Sequence, residues 1–159
     1  MPSGPTPAVR AVVGARVDYE LHSYRHDPDA TSFGEEAATA LGVDPTRVLK
    51  TLIVDVGARL VCAVVPVAYQ LDFRGLAGAL GTKTAQMAEH SVAERSTGYV
   101  LGGISPVGQK RKLPTVIDDS ATKWSTVYVS AGRRGLELEL APDALAALTN
   151  ATFAHISRR

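Results

Sequence analysis

The sequence predicts an α+β fold, a single domain in which a mixed, curved or barrel-like sheet is flanked by helices. Three observations support this prediction. Segments with strand-like alternation outnumber segments with helical spacing. Helices with recognisable start and stop signals are interspersed among these strands. No linker, internal repeat or low-complexity segment interrupts residues 1–159, a length typical of one domain. Residues 1–5 are expected to be flexible.

Capping and stop signals define the predicted helices. A Ser, Thr or Asp before an apolar segment predicts a helix start, in two cases with Glu three residues later, and a glycine predicts the helix end. The predicted starts are Thr6, Ser32, Asp72, Ser91 and a site near Pro142, and the predicted stops are Gly42, Gly81 and Gly98.

Alternating or β-branched segments predict the strands. Residues 17–21 alternate apolar and polar side chains, which is the period of a half-buried strand. Residues 51–56 and 60–65 form two β-rich runs around Gly57 and predict a hairpin, with Lys50 at its entrance. Further strands are predicted at 115–117, 126–129 and 136–140 and near Phe153.

The charge balance argues against a general nucleic-acid binder. With 17 Lys and Arg against 16 Asp and Glu, the formal net charge is +1, far from a strongly basic chain. Basic residues nevertheless cluster at 110–112, 133–134 and 158–159, and these clusters could form a stripe if their turns share one face. Three solvated turns are the alternative that this pattern leaves open.

The single cysteine and the N-terminus predict a cytoplasmic protein. Cys62 excludes an intramolecular disulfide and a multi-cysteine zinc site, and its place in an apolar strand predicts a core residue. The first six residues contain no apolar targeting segment, and no apolar run is long enough for a membrane span. The four histidines show no ligand spacing, so neither a metal nor another cofactor is expected.

Two features remain as candidates for chemistry, because no serine-hydrolase, zinc-protease or P-loop motif occurs. The segment 95–110 contains four glycines and a proline, and the N–H groups of Gly102, Gly103 and Ile104 could form an oxyanion hole. A Gly-rich connector without a ligand is equally consistent with this composition. Lys50 follows an apolar pair, where an ammonium is held for a ligand or snorkels to the surface.

Several motifs occur together in an order and spacing that resemble one known family. They are Tyr-Arg-His-Asp at 24–27, Ser-Phe-Gly-Glu at 32–35, Val-Leu-Lys-Thr-Leu at 48–52, the long glycine-rich loop at 98–110, and Tyr-Val-Ser-Ala-Gly at 128–132 before Arg-Gly-Leu at 134–136. In this combination the chain resembles the YbaK family of free-standing aminoacyl-tRNA editing proteins, and within it the Cys-tRNA(Pro) deacylase branch. The resemblance runs from about residue 6 to about residue 157.

The resemblance implies an editing fold and a set of site residues. The fold would be a mixed β-barrel related to the editing domain of bacterial prolyl-tRNA synthetases, and the activity hydrolysis of the ester between a mischarged amino acid and tRNA. The implied catalytic residues are Lys50, Gly102, Gly103 and Ile104. The implied substrate-binding residues are Tyr24, Phe33, Thr51, Ser105, Pro106, Ser130 and Glu137, although position 137 by itself predicts the outward face of an alternating strand.

The implied mechanism is assisted by the substrate and needs no enzyme nucleophile, because the thiol of bound cysteine attacks its own ester. The implied partners are Cys-tRNA(Pro), contacted through Lys110, Arg111 and Lys112, and prolyl-tRNA synthetase, with no membrane partner. Two alternatives stay open: an editing enzyme with alanyl specificity, and a non-catalytic module that binds tRNA or a synthetase.

Overall fold

A computed structural model of the chain describes residues 5–27 and 33–159 and confirms the mixed α+β fold. The described helices are α1 (Pro7–Ala15), α2 (Phe33–Leu41), α3 (Phe73–Leu80), α4 (His90–Thr97) and α5 (Pro142–Thr149), with a 3-10 helix at Asp119–Lys123. The described strands are β1 (Tyr19–Ser23), β2 (Leu49–Asp55), β3 (Leu60–Pro66), β4 (Gln70–Leu71), β5 (Gln86–Met87), β6 (Thr115–Asp118), β7 (Val127–Arg133), β8 (Leu136–Leu140), β9 (Thr152–Ala154) and β10 (Ser157–Arg158).

The strands form two main sheets, which a single bridge connects in the part of the chain that the structure describes. The larger has the order β5-β2-β3-β6-β9, in which β2 pairs antiparallel with β3 and β5 while β6 pairs parallel with β3 and β9. The smaller is antiparallel with the order β1-β8-β7, and β4 pairs with β10. One parallel bridge joins Val48 to Tyr128 between the main sheets, which in the described ranges do not close into a barrel.

The hydrophobic core occupies both faces of the larger sheet. The main cluster brings together side chains of α1, α5 and both sheets, including the buried Val12, Ile117, Leu138 and Leu145. A second cluster lies under α3 on the other face. Burial on two faces explains why the apolar segment of β3 is continuous rather than alternating. Cys62 lies in the main cluster, as predicted, and burial raises the pKa of its thiol to about 12.

Most helix signals act where the sequence predicts. The Thr6 hydroxyl accepts a hydrogen bond from the N–H of Val9 at 3.2 Å, and the Asp72 carboxylate accepts one from Gly75 at 3.1 Å. Gly81, with φ of 70°, ends α3 in the left-handed conformation that glycine adopts most readily. The expected cap at Ser32 and the expectation for the first residues of the chain lie outside the described residues.

The capping box predicted at Ser91 and Glu94 is wrong. Helix α4 follows Glu89, so Ser91 lies inside the first turn, and no side chain caps the helix. Glu94 instead accepts a hydrogen bond from the N–H of Leu101 at 2.7 Å, which connects α4 to the glycine-rich loop.

Across the described ranges, none of the helices has both the length and the hydropathy that a bilayer crossing requires.

Candidate active site

A pocket of about 290 Å³ lies where the two main sheets meet below α2. The start of α2, the start of β2, the glycine-rich loop and strands β7 and β8 all contribute residues to its lining. Twelve described residues line it: Tyr24, Phe33, Gly34, Leu49, Lys50, Thr51, Leu52, Leu101, Gly102, Ile104, Ser130 and Glu137.

The pocket brings together most of the residues that the sequence assigned to a site. Lys50, Gly102 and Ile104 line it, and so do the predicted substrate-binding residues Tyr24, Phe33, Thr51, Ser130 and Glu137. These residues come from six separate segments of the chain. Only the tertiary structure makes them neighbours.

Three of the predicted catalytic and substrate-binding residues do not line the pocket. The N–H of Gly103 donates to the Val100 carbonyl at 3.0 Å, and a Cβ at position 103 would lie 2.7 Å from the Cα of Arg133, so this residue packs on the end of β7. Ser105 is fully buried, and its hydroxyl accepts a hydrogen bond from Val107 at 3.2 Å. Pro106 is buried beside it. The turn therefore offers Gly102 and Ile104, not three successive residues, to a ligand.

Lys50 is the cationic group among the described lining residues. It is the second residue of β2, pairs with Val65 and is half-buried. Burial lowers the pKa of its ammonium, and the nearby Glu35 carboxylate partly opposes that effect. A cation with few water molecules around it attracts an oxygen that gains negative charge more strongly than a fully hydrated one.

Glu137 lies in the wall formed by the smaller sheet, where it pairs with Ser130 on β7 and with His22 on β1. The prediction from local alternation that position 137 faces outward is wrong, because this side chain is only 6% exposed. Helix α2 covers this face of the sheet, with Ala37 and Ala38 packed on Tyr128. Burial raises the pKa of the Glu137 carboxyl to about 8, so it is largely protonated at neutral pH.

Thr51 has a hydroxyl that the described part of the chain leaves without a hydrogen-bond partner. Its Oγ1 atom is buried and has no hydrogen-bond partner among the described residues. The Ser130 hydroxyl, in contrast, accepts a hydrogen bond from the N–H of Gly132 at 3.2 Å. Buried polar atoms in native proteins rarely stay unpaired, so the Thr51 hydroxyl is suited to a ligand that enters the pocket.

The basic turn is separate from the pocket. Lys110, Arg111 and Lys112 are exposed, and Arg111 and Lys112 share a surface groove with Arg59 at the far end of the β2–β3 hairpin. Asp55 at that end is five residue steps from Lys50 along β2, roughly 17 Å at the rise of an extended strand. The turn therefore lies toward the opposite end of β2 from Lys50 and contributes nothing to the pocket lining.

Two clusters in the described ranges have the spacing of metal ligands, and neither lies in the pocket. They are Glu20, His22 and Glu139, and Asp118, Asp119 and His155. In the first, Glu139 is already paired with His22 at 2.8 Å and Arg47 at 3.3 Å. In the second, Asp118 accepts a hydrogen bond from Ile156 at 3.0 Å. The carboxylates of Glu139 and Asp118 therefore already have partners within the protein.

The sequence missed part of the pocket and most of what surrounds it. Leu49, Leu52 and Leu101 line the cavity, but the sequence marked them only as parts of the 48–52 motif and the 98–110 loop, not as site residues. Gly34 also lines it and was found only as part of a motif. Arg134 was grouped with the basic turns, but the structure places its guanidinium over the ring of Phe33.

Comparisons with known proteins agree on one family. A family model described as "Aminoacyl-tRNA editing domain" matches residues 27–148. A protein of Enterococcus faecalis named "Putative Cys-tRNA(Pro)/Cys-tRNA(Cys) deacylase EbsC" is 39% identical over 156 residues, which are 97% of this chain and 94% of that protein. A proline–tRNA ligase of Citrifermentans bemidjiense is 37% identical over 84 residues, which are 53% of this chain and 15% of the ligase. The crystal structure of hypothetical protein APE2540 superposes with a TM-score of 0.85 at 26% identity, covering 96% of this chain and 100% of that one.

Proposed function

This chain belongs to the aminoacyl-tRNA editing domain family, and we propose that it hydrolyses the ester between cysteine and a tRNA(Pro) that should not carry it. The whole chain would act as one editing unit, separate from the synthetase. The observation that carries the proposal is the buried Thr51 hydroxyl, which has no hydrogen-bond partner among the described residues and lies in a small pocket with Lys50 and Glu137. The cysteinyl substrate is supported by the identity to the Enterococcus protein along almost its full length.

The pocket residues divide the binding of an aminoacyl ester among them. The Lys50 ammonium and the N–H groups of Gly102 and Ile104 would hold the ester carbonyl and stabilise the negative charge that develops on its oxygen. The Thr51 hydroxyl would form a hydrogen bond to a polar atom of the same substrate. Phe33 and Leu101 would enclose a small side chain, and a protonated Glu137 would avoid repelling the developing oxyanion.

The chemical step that we propose uses the substrate's own thiol. The cysteine sulfur attacks the ester carbonyl, so a carbon–sulfur bond forms and the carbon–oxygen bond to the ribose breaks, while the thiol proton goes to the ribose oxygen. The resulting thiolactone then takes up one water and opens to free cysteine. This route agrees with a pocket in which no histidine or cysteine is found among the described lining residues. It also separates cysteine from alanine and serine by chemistry, because a pocket separates residues of similar size poorly.

We propose that the tRNA lies along the β2–β3 hairpin, with its aminoacylated end at Lys50 and its phosphates near Lys110, Arg111 and Lys112. A net charge of only +1 predicts weak binding by electrostatics alone, so we expect a partner to contribute to tRNA binding. Prolyl-tRNA synthetase is the partner that we propose, in the cytoplasm, because part of this chain is similar to part of a proline–tRNA ligase.

The direct test is release of labelled cysteine from Cys-tRNA(Pro), with Ala-tRNA(Pro) and Ser-tRNA(Pro) in parallel. Lys50→Ala removes the proposed electrophilic group, and Lys83→Ala, at an exposed lysine, is the matched control. Release of cysteine alone, lost in the Lys50 variant and kept in the control, would support the proposal. Release of alanine instead would move the protein to the alanyl branch, and equal cleavage of cysteine and serine esters would exclude thiol assistance. Binding of tRNA without any release would identify a binding module.

A further inference from the structure

The Phe33 ring in the pocket wall contacts two segments that are distant in the sequence. A Cβ built on Gly102 would lie only 3.3 Å from the ring's Cδ2 atom, so the ring rests directly on the backbone of the glycine-rich loop. The Arg134 guanidinium carbon lies 4.6 Å from the centre of the same ring. Phe33 and Gly102 both line the pocket, whereas Arg134 does not.

The Arg134 side chain is fixed by several hydrogen bonds. Its Nε donates to Glu36 Oε1 at 3.1 Å and its Nη2 to Glu36 Oε2 at 3.3 Å, a bidentate pair, and Nη2 also donates to the carbonyl of Asp27. The N–H of Asp27 donates to Glu36 Oε2 at 2.7 Å. One guanidinium therefore connects the β7–β8 turn, α2 and the chain just after β1.

This pair differs from an ordinary surface ion pair. The side chains of Arg134 and Glu36 are 20% and 11% exposed, so solvent screens their attraction only in part. A planar guanidinium can bind a carboxylate with two donors and stack on an aromatic ring at the same time, which a lysine ammonium cannot do. With its donors directed to Glu36 and Asp27, this arginine is poorly placed to hold a tRNA phosphate.

We propose that Arg134 is a positioning residue for the editing reaction, which holds the Phe33 ring against the Gly102 turn and so sets the wall of the pocket. The inference rests on the proposed function, because it specifies which contacts maintain the geometry of the same site. The Gly102 N–H is one of the proposed oxyanion donors, so a displaced ring would disturb both substrate binding and the catalytic step. Displacements of about 1 Å in a site can change rates by up to about a hundredfold.

The test compares Arg134→Lys, Phe33→Ala and the double variant, with Arg74→Lys at an exposed arginine as the control. Arg134→Lys keeps the positive charge but loses the bidentate pair with Glu36 and the stacking on the Phe33 ring. We expect its kcat/KM for Cys-tRNA(Pro) to fall by about tenfold or more, with KM raised, at a temperature where circular dichroism shows it folded. In the Phe33→Ala background the same change should alter kcat/KM by less than about twofold, because contacting residues are not additive. Equal fold-changes in the two backgrounds, or full activity of Arg134→Lys, would overturn the proposal.

A measurement that does not depend on catalysis tests the role of Arg134 separately from the proposed function. Aromatic rings shift the resonances of nuclei that lie against them, so the amide signal of Gly102 in a ¹⁵N-correlated spectrum reports the position of the Phe33 ring. We expect Arg134→Lys and Phe33→Ala to move that signal, while the signal of Gly81 at the end of α3 stays in place. If the wild-type protein releases no amino acid, the proposed function fails and the spectrum still decides on Arg134. An unmoved Gly102 signal in the Arg134 variant would contradict the inference.

Discussion

Gly34 packs so closely on Val67 that a Cβ at position 34 would lie 2.3 Å from Val67 Cγ1. Gly34 is in the first turn of α2, and Val67 follows β3 immediately. The same hypothetical Cβ would be 3.9 Å from the Cβ of Lys50. The absence of a side chain at Gly34 therefore sets how near α2 lies to the lysine of the pocket.

Gly34→Ala should widen the pocket and destabilise the fold. The added methyl group forces Val67 to another rotamer or moves α2 outward, at a cost of about 1–3 kcal/mol. We expect a lower melting temperature and a reduced kcat/KM for Cys-tRNA(Pro). Gly78→Ala, in α3 with nothing near its hypothetical Cβ, is the matched control and should be neutral or slightly stabilising. Equal behaviour of the two variants would show that the contact at Val67 relaxes without consequence.

Thr51→Val should reduce activity without reducing stability. Valine has the same shape as threonine and removes a buried hydroxyl that has no partner in the described residues. Removing such a group is neutral or stabilises the fold by up to about 1 kcal/mol, because its loss of hydration is no longer uncompensated. Thermal melts and deacylation kinetics on the same preparation test this, and a loss of stability would mean that the hydroxyl has a partner within the protein.

Glu137→Gln should change the pH dependence of stability. The carboxyl has a pKa of about 8 when folded, against 4.5 for the ordinary value that we assign to the unfolded chain. Between these two values the folded state keeps a proton that the unfolded state has lost. The stability of the wild type therefore falls as pH rises from about 4.5 to about 8, by at most about 1.4 kcal/mol per pH unit.

Glutamine cannot ionise, so its variant lacks this loss. We expect the difference between the melting temperatures of Glu137→Gln and the wild type, measured by scanning calorimetry, to shift in favour of the variant as pH is raised from 5 to 9. Glu89→Gln, at an exposed residue, should keep a constant offset over the same range. A constant offset for Glu137→Gln as well would show that the carboxyl is not held protonated.

Glu94→Ala should loosen the glycine-rich loop. The Glu94 carboxylate accepts a hydrogen bond from the N–H of Leu101 at 2.7 Å, and Leu101 lines the pocket while being 48% exposed. Losing this contact should raise KM several-fold with a small change in melting temperature, because a loop at the surface carries little of the core. Glu94→Gln, which keeps an acceptor oxygen, should recover most of the affinity. An Ala variant with wild-type KM would mean that this hydrogen bond is not needed to order the loop.

Charge reversal at Arg111 and Lys112 should weaken tRNA binding and leave the catalytic step intact. Each phosphate contact that is lost reduces the slope of log affinity against log salt by about 0.7 to 0.9. The effect should therefore appear in the salt dependence of binding and in KM, with kcat nearly unchanged. Reversal of Arg74, which is exposed on α3, is the control. An unchanged salt slope in the Arg111 and Lys112 variants would place the tRNA on another surface.

Local physics accounts for what was predictable in the fold. The β-rich composition of β2 and β3, the helix starts at Thr6 and Asp72 and the glycine stop at Gly81 depend on neighbours within a few residues, and the structure keeps them. The two-residue strands β4, β5 and β10 were missed, because such short pairs exist only when a partner strand is already in place. The cap predicted at Ser91 failed because α4 begins earlier, after Glu89, and the capping-box spacing alone does not fix where a helix starts.

For the site, the sequence by itself determined which residue types are present and, through their order and spacing, which family they resemble. It could not determine that Glu137 is buried, because alternation on β8 says which residues share a face and α2, nearly a hundred residues earlier, decides which face is covered. Nor could it show that Gly103 and Ser105 face inward or that Arg134 packs on Phe33. The tertiary structure decided these points, because burial and the pKa shifts that follow from it depend on segments that meet only after the chain has folded.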